Sequence, residues 1–381
     1  MKITVAIDSM KGSLTSLEAG RAARRGILKA MPTAEVHVCP LADGGEGTVE
    51  ALTNGHGGVL RAVKVTGPDG TPVSAAYGIL EKEEKTAVIE MAAAAGITLL
   101  PPEKRNPLYT TTFGVGELIL DAISQGCRRF LIGIGGSATN DGGIGMLSAL
   151  GYQFLDGTGS PVPPTASGLS MIESISDENV VSQLSQCVFR IACDVQNPLC
   201  GPEGCSRIFG PQKGADLETV SKMDEWLQAF SQKVRILRPG ADPDAPGAGA
   251  AGGLGYAFLN FTNARLEPGA KIIIEETGLE ALIRDSDLVV TGEGRLDRQT
   301  AMGKAPIAVA RTAKKYGKKV IAFSGCVSSD ADYLNTAGID AFFPIIRAAM
   351  PLEEALLAST ASDNLSAAAQ QVFNLIQIIK S

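Results

Sequence analysis

The sequence predicts an α/β protein, built as a Rossmann-like doubly wound parallel-sheet domain with a second, mixed α/β domain inserted into it. Three observations carry that reading. Strand-like apolar runs alternate with amphipathic helical runs at both ends of the chain. The middle has a different texture, with a hairpin pattern and Gly/Pro-rich turns. An apolar run from Phe130 to Ile134 leads into GIGGSATNDGGIG, Gly133 to Gly145, where six glycines surround Ser137, Thr139, Asn140 and Asp141. A glycine-rich turn between a strand and a helix exposes backbone N–H groups at the positive end of the helix dipole, which suits a phosphate.

The elements follow in order. Ile3 to Ile7 reads as a strand ending at Asp8. A helix comes next, opened by a capping box from Thr15 to Glu18. Ala19, Ala22, Ala23, Gly26, Ile27, Ala30 and Met31 share one face of it, and Pro32 stops it. Val36 to Leu41 is the second strand. VKVTGPDGTPVSAAYGIL, from Val63, predicts a hairpin turning at Gly67 to Gly70. Thr86 to Met91 is a strand, and Thr112 is placed to cap a helix closed by Gly126. Gly157 to Gly168 reads as a surface loop, and Val188 to Cys193 as a strand ending at Asp194. Plain alternation then returns, with strands at Asp287–Thr291, Lys319–Phe323 and Ile339–Phe343, a helix at Lys304–Tyr316, and a long helical region at the end. The two ends share a style that the middle lacks. The expected domains are therefore 1–64 plus 285–381, with 65–284 inserted and the active site in the cleft between the two.

Composition narrows the function. The chain has 381 residues, enough for two domains of roughly 100–200 residues each. Its net charge is −7 and it has no long basic run, which argues against nucleic acid or an anionic membrane as partner. No segment reaches about 18 uncharged apolar residues, so no membrane span is expected. The N-terminus MKITVAIDSM lacks the apolar core of a signal peptide. Seven cysteines, an odd number, then read as reduced thiols in a cytoplasmic protein. With only His37 and His56, a histidine-based metal centre and a His-dependent serine hydrolase are both disfavoured.

Seven polar clusters punctuate the chain, several of them where strands end, the ligand-binding edge of open α/β sheets. They are DSMKGS (8–13), ADGGEGT (42–48), the glycine turn, ACDVQNPL (192–199), GPQKGA (210–215), PGAGAAGG (246–253) and TGEGRLDRQTAMGKAP (291–306). Together they supply backbone cradles, lysines for phosphate oxygens, and carboxylates to hold Mg²⁺ or accept a hydroxyl proton. GxxxxGK[ST] is absent, so this is not a P-loop enzyme. In this order, the runs DSMKGS, ADGGEGT, GGSATNDGG, CDVQNPL, GPQKGA, PGAGAAGG and TGEGRLDRQT resemble the bacterial glycerate kinase family over almost the whole chain. The resemblance implies an enzyme that phosphorylates D-glycerate with ATP and Mg²⁺. Ile7 and Met10 depart from the family's usual proline and aromatic residue, a difference that bears on packing or substrate fit.

Under that resemblance each cluster takes a role. Lys11 meets a phosphate or the glycerate carboxylate, beside Asp8 and Ser9 as candidate substrate-binding residues. Asp194 is the first choice for the base that orients the substrate hydroxyl, with Asp43 as rival base or Mg²⁺ ligand. Gly135, Gly136, Ser137, Thr139, Asn140, Asp141, Gly142 and Gly143 hold nucleotide phosphates or the transferred group, helped by Lys304 at a helix start. Glu293 and Asp297 are spaced to reach one Mg²⁺ from a single loop, and Arg207 and Lys213 are candidates for the substrate carboxylate. The glycines of 246–253 read equally as a hinge or anion nest and as a tight turn before a helix. Two rivals remain: an NAD-dependent dehydrogenase using GIGGSA with Asp156 near the ribose, and a non-enzymatic two-domain binding protein. The phosphorylated hydroxyl, the domain that holds ATP and the oligomeric state stay open.

Overall fold

The structure, a computed structural model, describes residues 1–55, 57–81, 83–298 and 300–380. In chain order its strands are β1 (Lys2–Ile7), β2 (Glu35–Val38), β3 (Val59–Thr66), β4 (Pro72–Leu80), β5 (Thr86–Glu90), β6 (Arg129–Gly133), β7 (Gln153–Leu155), β8 (Ser174–Ser176), β9 (Val188–Ala192), β10 (Ala264–Glu267), β11 (Leu288–Leu296), β12 (Lys319–Val327) and β13 (Ala341–Pro344). The chain divides into two units: Met1–Asp43, Glu50–His56 and Pro268–Ser381 form the first, and Gly44–Val49 with Gly57–Glu267 form the second. Residues 268–284 group with the chain ends, because the helices Gly269–Glu276 and Leu279–Asp285 pack on the helix Ala305–Lys315.

The first unit is a five-stranded sheet in the order β13-β12-β11-β1-β2, parallel throughout. Renumbered along this unit, that is the doubly wound order 2-1-3-4-5, and it reverses between β1 and β11. Strands covered on both faces read as continuous apolar runs, and Ile3, Thr4, Val5, Ala6 and Ile7 are all fully buried. The predicted capping box is present: Glu18 N–H donates to Thr15 Oγ1 at 3.3 Å, and Thr15 N–H to Glu18 Oε2 at 2.9 Å. The helix it opens, Ser16–Ala30, packs on the long terminal helix Ala358–Lys380. Gly26 permits the approach, since a Cβ there would lie 2.0 Å from the Ser366 carbonyl oxygen. β11 runs five residues beyond the predicted Thr291, because Glu293 to Leu296 continue the ladder with β12.

The second unit carries a mixed sheet in the order β10-β9-β6-β5-β4-β3. β10, β9, β6 and β5 are parallel neighbours, and β5, β4 and β3 are antiparallel. The predicted hairpin is β3–β4, closed by Gly67 N–H donating to the Thr71 carbonyl at 2.7 Å. Two expectations change here. Thr112 precedes the helix Phe113–Ser124 but does not cap it with its side chain; its hydroxyl donates to Asp141 at 2.7 Å and accepts from Met146 N–H at 2.9 Å. The expected surface loop at 157–168 runs into a helical turn, Ala166–Leu169.

Candidate functional site

In the first unit, the loops that leave β1 and β11 surround a cavity of about 360 Å³, at the point where the strand order reverses. The connections that leave two neighbouring parallel strands run to opposite faces of the sheet there, so an open sheet leaves its crevice at that point. Asp8, Ser9, Lys11, Asp43, Glu293, Asp297 and Lys304 all line it. The structure thus gathers residues from three of the sequence clusters into one site. Asp8 follows β1, and its backbone N–H is tied to the Gly292 carbonyl of β11 at 2.8 Å. The loop beyond is tight: Met10 N–H donates to the Leu14 carbonyl at 2.8 Å, and Gly12 turns it with φ of 77°. Lys11 is exposed at its tip.

Glu293 and Asp297 do not share a loop as expected; Glu293 lies within β11 and Asp297 just past its end. Thr300 links them, donating its hydroxyl to Glu293 Oε1 at 2.6 Å and accepting Asp297 N–H at 3.2 Å. Lys304 does stand at the start of the helix Ala305–Lys315, with Nζ 3.8 Å from Glu293 Oε2. Asp8 is 5% exposed. Burial, then the charges of Asp43 and Glu293, push its carboxyl up to about 8, against one hydrogen bond from Ser9 N–H and the charge of Lys11. Burial also raises Glu293, and Thr300 and Lys304 oppose it. A cation entering the cavity relieves this repulsion.

The residues fit Mg²⁺ in a specific sense. Among the described residues no group of three His, Cys, Asp or Glu side chains is placed to hold an ion alone. Mg²⁺ beside a polyphosphate uses one or two carboxylates and keeps phosphate and water oxygens for the rest. Asp8, Asp43 and Glu293 supply such hard oxygen donors.

In the second unit, the glycine turn is largely internal. Asp141 is fully buried and accepts from Thr112 N–H at 2.8 Å, Thr112 Oγ1 at 2.7 Å, Gly143 N–H at 3.1 Å and Gly145 N–H at 3.3 Å. Asn140 Nδ2 donates to Ser206 Oγ at 2.9 Å. Lys213 is 2% exposed, and its ammonium donates to Ser137 Oγ at 2.8 Å and to the Thr139 carbonyl at 2.6 Å. Desolvation pulls its pKa down to about 8. Gly142 and Gly143 take left-handed backbone, with φ of 63° and 78°. Gly135 and Gly136 are exposed. The 246–253 run forms neither a plain turn nor open backbone: Gly252 and Gly253 pack directly on the glycine turn, and Gly142 N–H donates to the Gly252 carbonyl at 2.9 Å.

Arg207 is exposed with Nε 3.3 Å from Asp224 Oδ2, and Asp194 is exposed just beyond β9. Neither lines the first unit's cavity. Ser13, Asn364 and the apolar residues Ile345, Ile346, Leu352 and Leu356 also line the cavity, and Thr300 braces Glu293; the sequence does not single them out. Ser13 and Thr300 lie inside the polar clusters 8–13 and 291–306. Asn364 lies in an ordinary helical run, with no motif to mark it.

A model of the glycerate kinase family matches residues 3–377. The chain is 45% identical to a glycerate kinase of Bacillus subtilis (strain 168), over 100% of this chain and 99% of that protein. It is 44% identical to a glycerate 2-kinase of Escherichia coli (strain K12), over 98% of this chain and 97% of that protein. A crystal structure from Salmonella typhimurium LT2, of a chain assigned as glycerate kinase 2, superposes with a TM-score of 0.91 at 43% identity, covering 100% of this chain and 99% of the other.

Proposed function

The chain belongs to the glycerate kinase family and is a kinase; from that premise we propose that it transfers the γ-phosphoryl group of ATP, with Mg²⁺, to the 2-hydroxyl of D-glycerate. The products are 2-phosphoglycerate and ADP. The observation that carries this reading is the cavity at the reversal of the parallel sheet, where Asp8, Asp43 and Glu293 meet Lys11 and Lys304. Phosphoryl transfer demands little covalent chemistry of the protein and much charge placement, and that cavity offers both signs of charge. The choice of the 2-hydroxyl rests on the Escherichia coli relative, which is named a glycerate 2-kinase.

A bound Mg²⁺ would offset the negative charge of the phosphate oxygens. One or two of Asp8, Asp43 and Glu293 would hold it, with Asp297 near them at the end of β11, and Lys11 and Lys304 would neutralise phosphate oxygens. Asp43, among other carboxylates, suits a cation better than a proton in flight. Asp194, exposed beyond β9, is the base that takes the hydroxyl proton as the new O–P bond forms and the β–γ bridge breaks. In the second unit, exposed Gly135 and Gly136 offer backbone and Arg207 a guanidinium suited to the substrate carboxylate; in the first, Ser9 lines the cavity. No helix among the described residues is long and apolar enough to cross a membrane. An ATP-using enzyme with this thiol content works in the cytoplasm.

The test is ADP release from ATP, Mg²⁺ and D-glycerate, with L-glycerate and no-acid controls, and phosphorus NMR of the product. Turnover specific to D-glycerate with a 2-phospho product is expected; a 3-phospho product overturns the regiochemistry, and absent turnover from protein that binds ATP overturns the substrate. Asp194→Asn is expected to lose at least about 100-fold in kcat with ATP binding kept. Asp43→Asn is expected to shift the Mg²⁺ concentration needed for half-maximal rate. The reverse pattern exchanges their roles.

A further inference from the structure

The first unit's cavity is lined by two chemically different sets of residues. One comprises Asp8, Asp43, Glu293 and Lys304; the other comprises Ile345, Ile346, Leu352, Leu356 and Ala361. Ile346, Leu352 and Leu356 remain exposed there, although each is large and apolar. Asn364 lines the same cavity from the helix Ala358–Lys380. It is only 7% exposed, and its amide Nδ2 is buried with no hydrogen-bond partner. Ser9 Oγ and Ser13 Oγ, also in the lining, are buried and equally without partners. Buried polar groups in native proteins are nearly always satisfied, so three orphaned atoms around one cavity call for a ligand that supplies what the protein does not.

The ligand's shape follows from the lining. One part of it must be apolar enough for aliphatic walls and must still offer a hydrogen-bond acceptor to an amide N–H. Another part must be anionic enough for lysines, serine hydroxyls and a cation held by carboxylates. A purine nucleotide meets all of these, and an Asn amide pairs with adenine, donating to a ring nitrogen while accepting from the exocyclic amine. We infer that this cavity is the nucleotide site, with the base against the apolar residues and Asn364 reading its edge. This rests on the kinase reading and adds to it the unit that holds the nucleotide and the residue that selects the base.

The experiment titrates Mg·ADP and Mg·GDP calorimetrically into the full-length wild type and Asn364→Leu, and records the melting temperature of each without ligand. Replacing an orphaned amide by an apolar group of similar size is expected to leave the ligand-free melting temperature equal or raised. Mg·ADP affinity is expected to fall at least tenfold, the ADP-over-GDP preference to shrink, and the KM for D-glycerate to stay within twofold. An unchanged Kd for Mg·ADP in folded Asn364→Leu overturns the inference. If that variant does not fold, Leu356→Arg, at an exposed position in the same wall, gives the same reading: tenfold weaker Mg·ADP supports it, and an unchanged Kd overturns it. A wild type that turns over D-glycerate while both variants bind Mg·ADP normally removes this inference alone. A wild type that neither binds Mg·ADP nor turns over removes the kinase reading with it.

Discussion

Lys213 shows what a single residue can hide from its sequence. Read alone, GPQKGA places a lysine in a loop, where solvation is the default. In the fold its ammonium is buried, and both recorded partners lie more than seventy positions away along the chain, the Ser137 hydroxyl and the Thr139 carbonyl. No local pattern encodes such a pairing. Its pKa of about 8, against 10.5 for an ordinary lysine, makes a prediction about stability. Between these values the unfolded chain binds a proton that the folded chain does not, so stability rises with pH across that window. The contribution is complete above the unfolded value and is lost as pH falls through about 8. Wild type should therefore gain on Lys213→Met by about 1.4 kcal/mol per pH unit between those limits. Denaturant melts of both proteins at several pH values check this; parallel curves would mean that the amine is solvated. Asp8 and Glu293, by contrast, carry local marks: Asp8 ends the first apolar run, and Glu293 stands between Gly292 and Gly294. Asn364 carries none, because nothing local distinguishes it from a solvent-facing helical asparagine.

At the scale of elements, the glycine turn and the 246–253 run explain each other. Each looked like a candidate anion cradle in the sequence, yet they are packed together. A Cβ on Gly252 would lie 2.1 Å from the Thr139 carbonyl oxygen, and its φ is +67°. Strain and overpacking therefore act together, and Gly252→Ala is expected to cost roughly 3 kcal/mol. Gly278 is the control: its φ is +66°, but nothing lies within 4 Å of an added Cβ. Gly278→Ala should cost only about 1–2 kcal/mol, from backbone strain alone. Equal losses in chemical denaturation would show that the contact is relieved by movement. Element types and order are readable where short apolar runs are bounded by glycine or charge, as in β1 between Lys2 and Asp8 and in β6 between Arg129 and Gly135. The extension of β11 to Leu296 was not readable. GEGRL reads as a loop, and only its pairing with β12 makes it a strand. That extension is what separates Glu293 from Asp297.

On the scale of the whole molecule, the alternation at both chain ends revealed a doubly wound sheet but not its strand order. That order, fixed by β11 pairing with β1 nearly 290 residues away, is what makes a crevice beside Asp8. From sequence the glycine turn of the second unit is expected to hold nucleotide phosphates or the transferred group, with the ATP-holding domain open; the buried partners of Asp141, Asn140 and Lys213 leave that turn little free side-chain chemistry. The two placements differ in which backbone a nucleotide should protect. Mg·ADP at 100 times its Kd stabilises the form that binds it by about 2.7 kcal/mol, enough to slow amide exchange about 100-fold wherever opening requires release of the ligand. With the nucleotide in the first unit, protection should concentrate in the loop 8–14, in the segment 293–304 and around Asn364, and the amides of 135–143 should exchange as before. Hydrogen exchange read by mass spectrometry, with and without Mg·ADP, separates the cases. Protection confined to 135–143 would return the nucleotide to the second unit and leave the cavity beside Asp8 to the hydroxy acid. Protection in the first unit alone would leave the glycine turn as a rigid structural core whose exposed edge, Gly135 and Gly136, is the part free to meet a substrate.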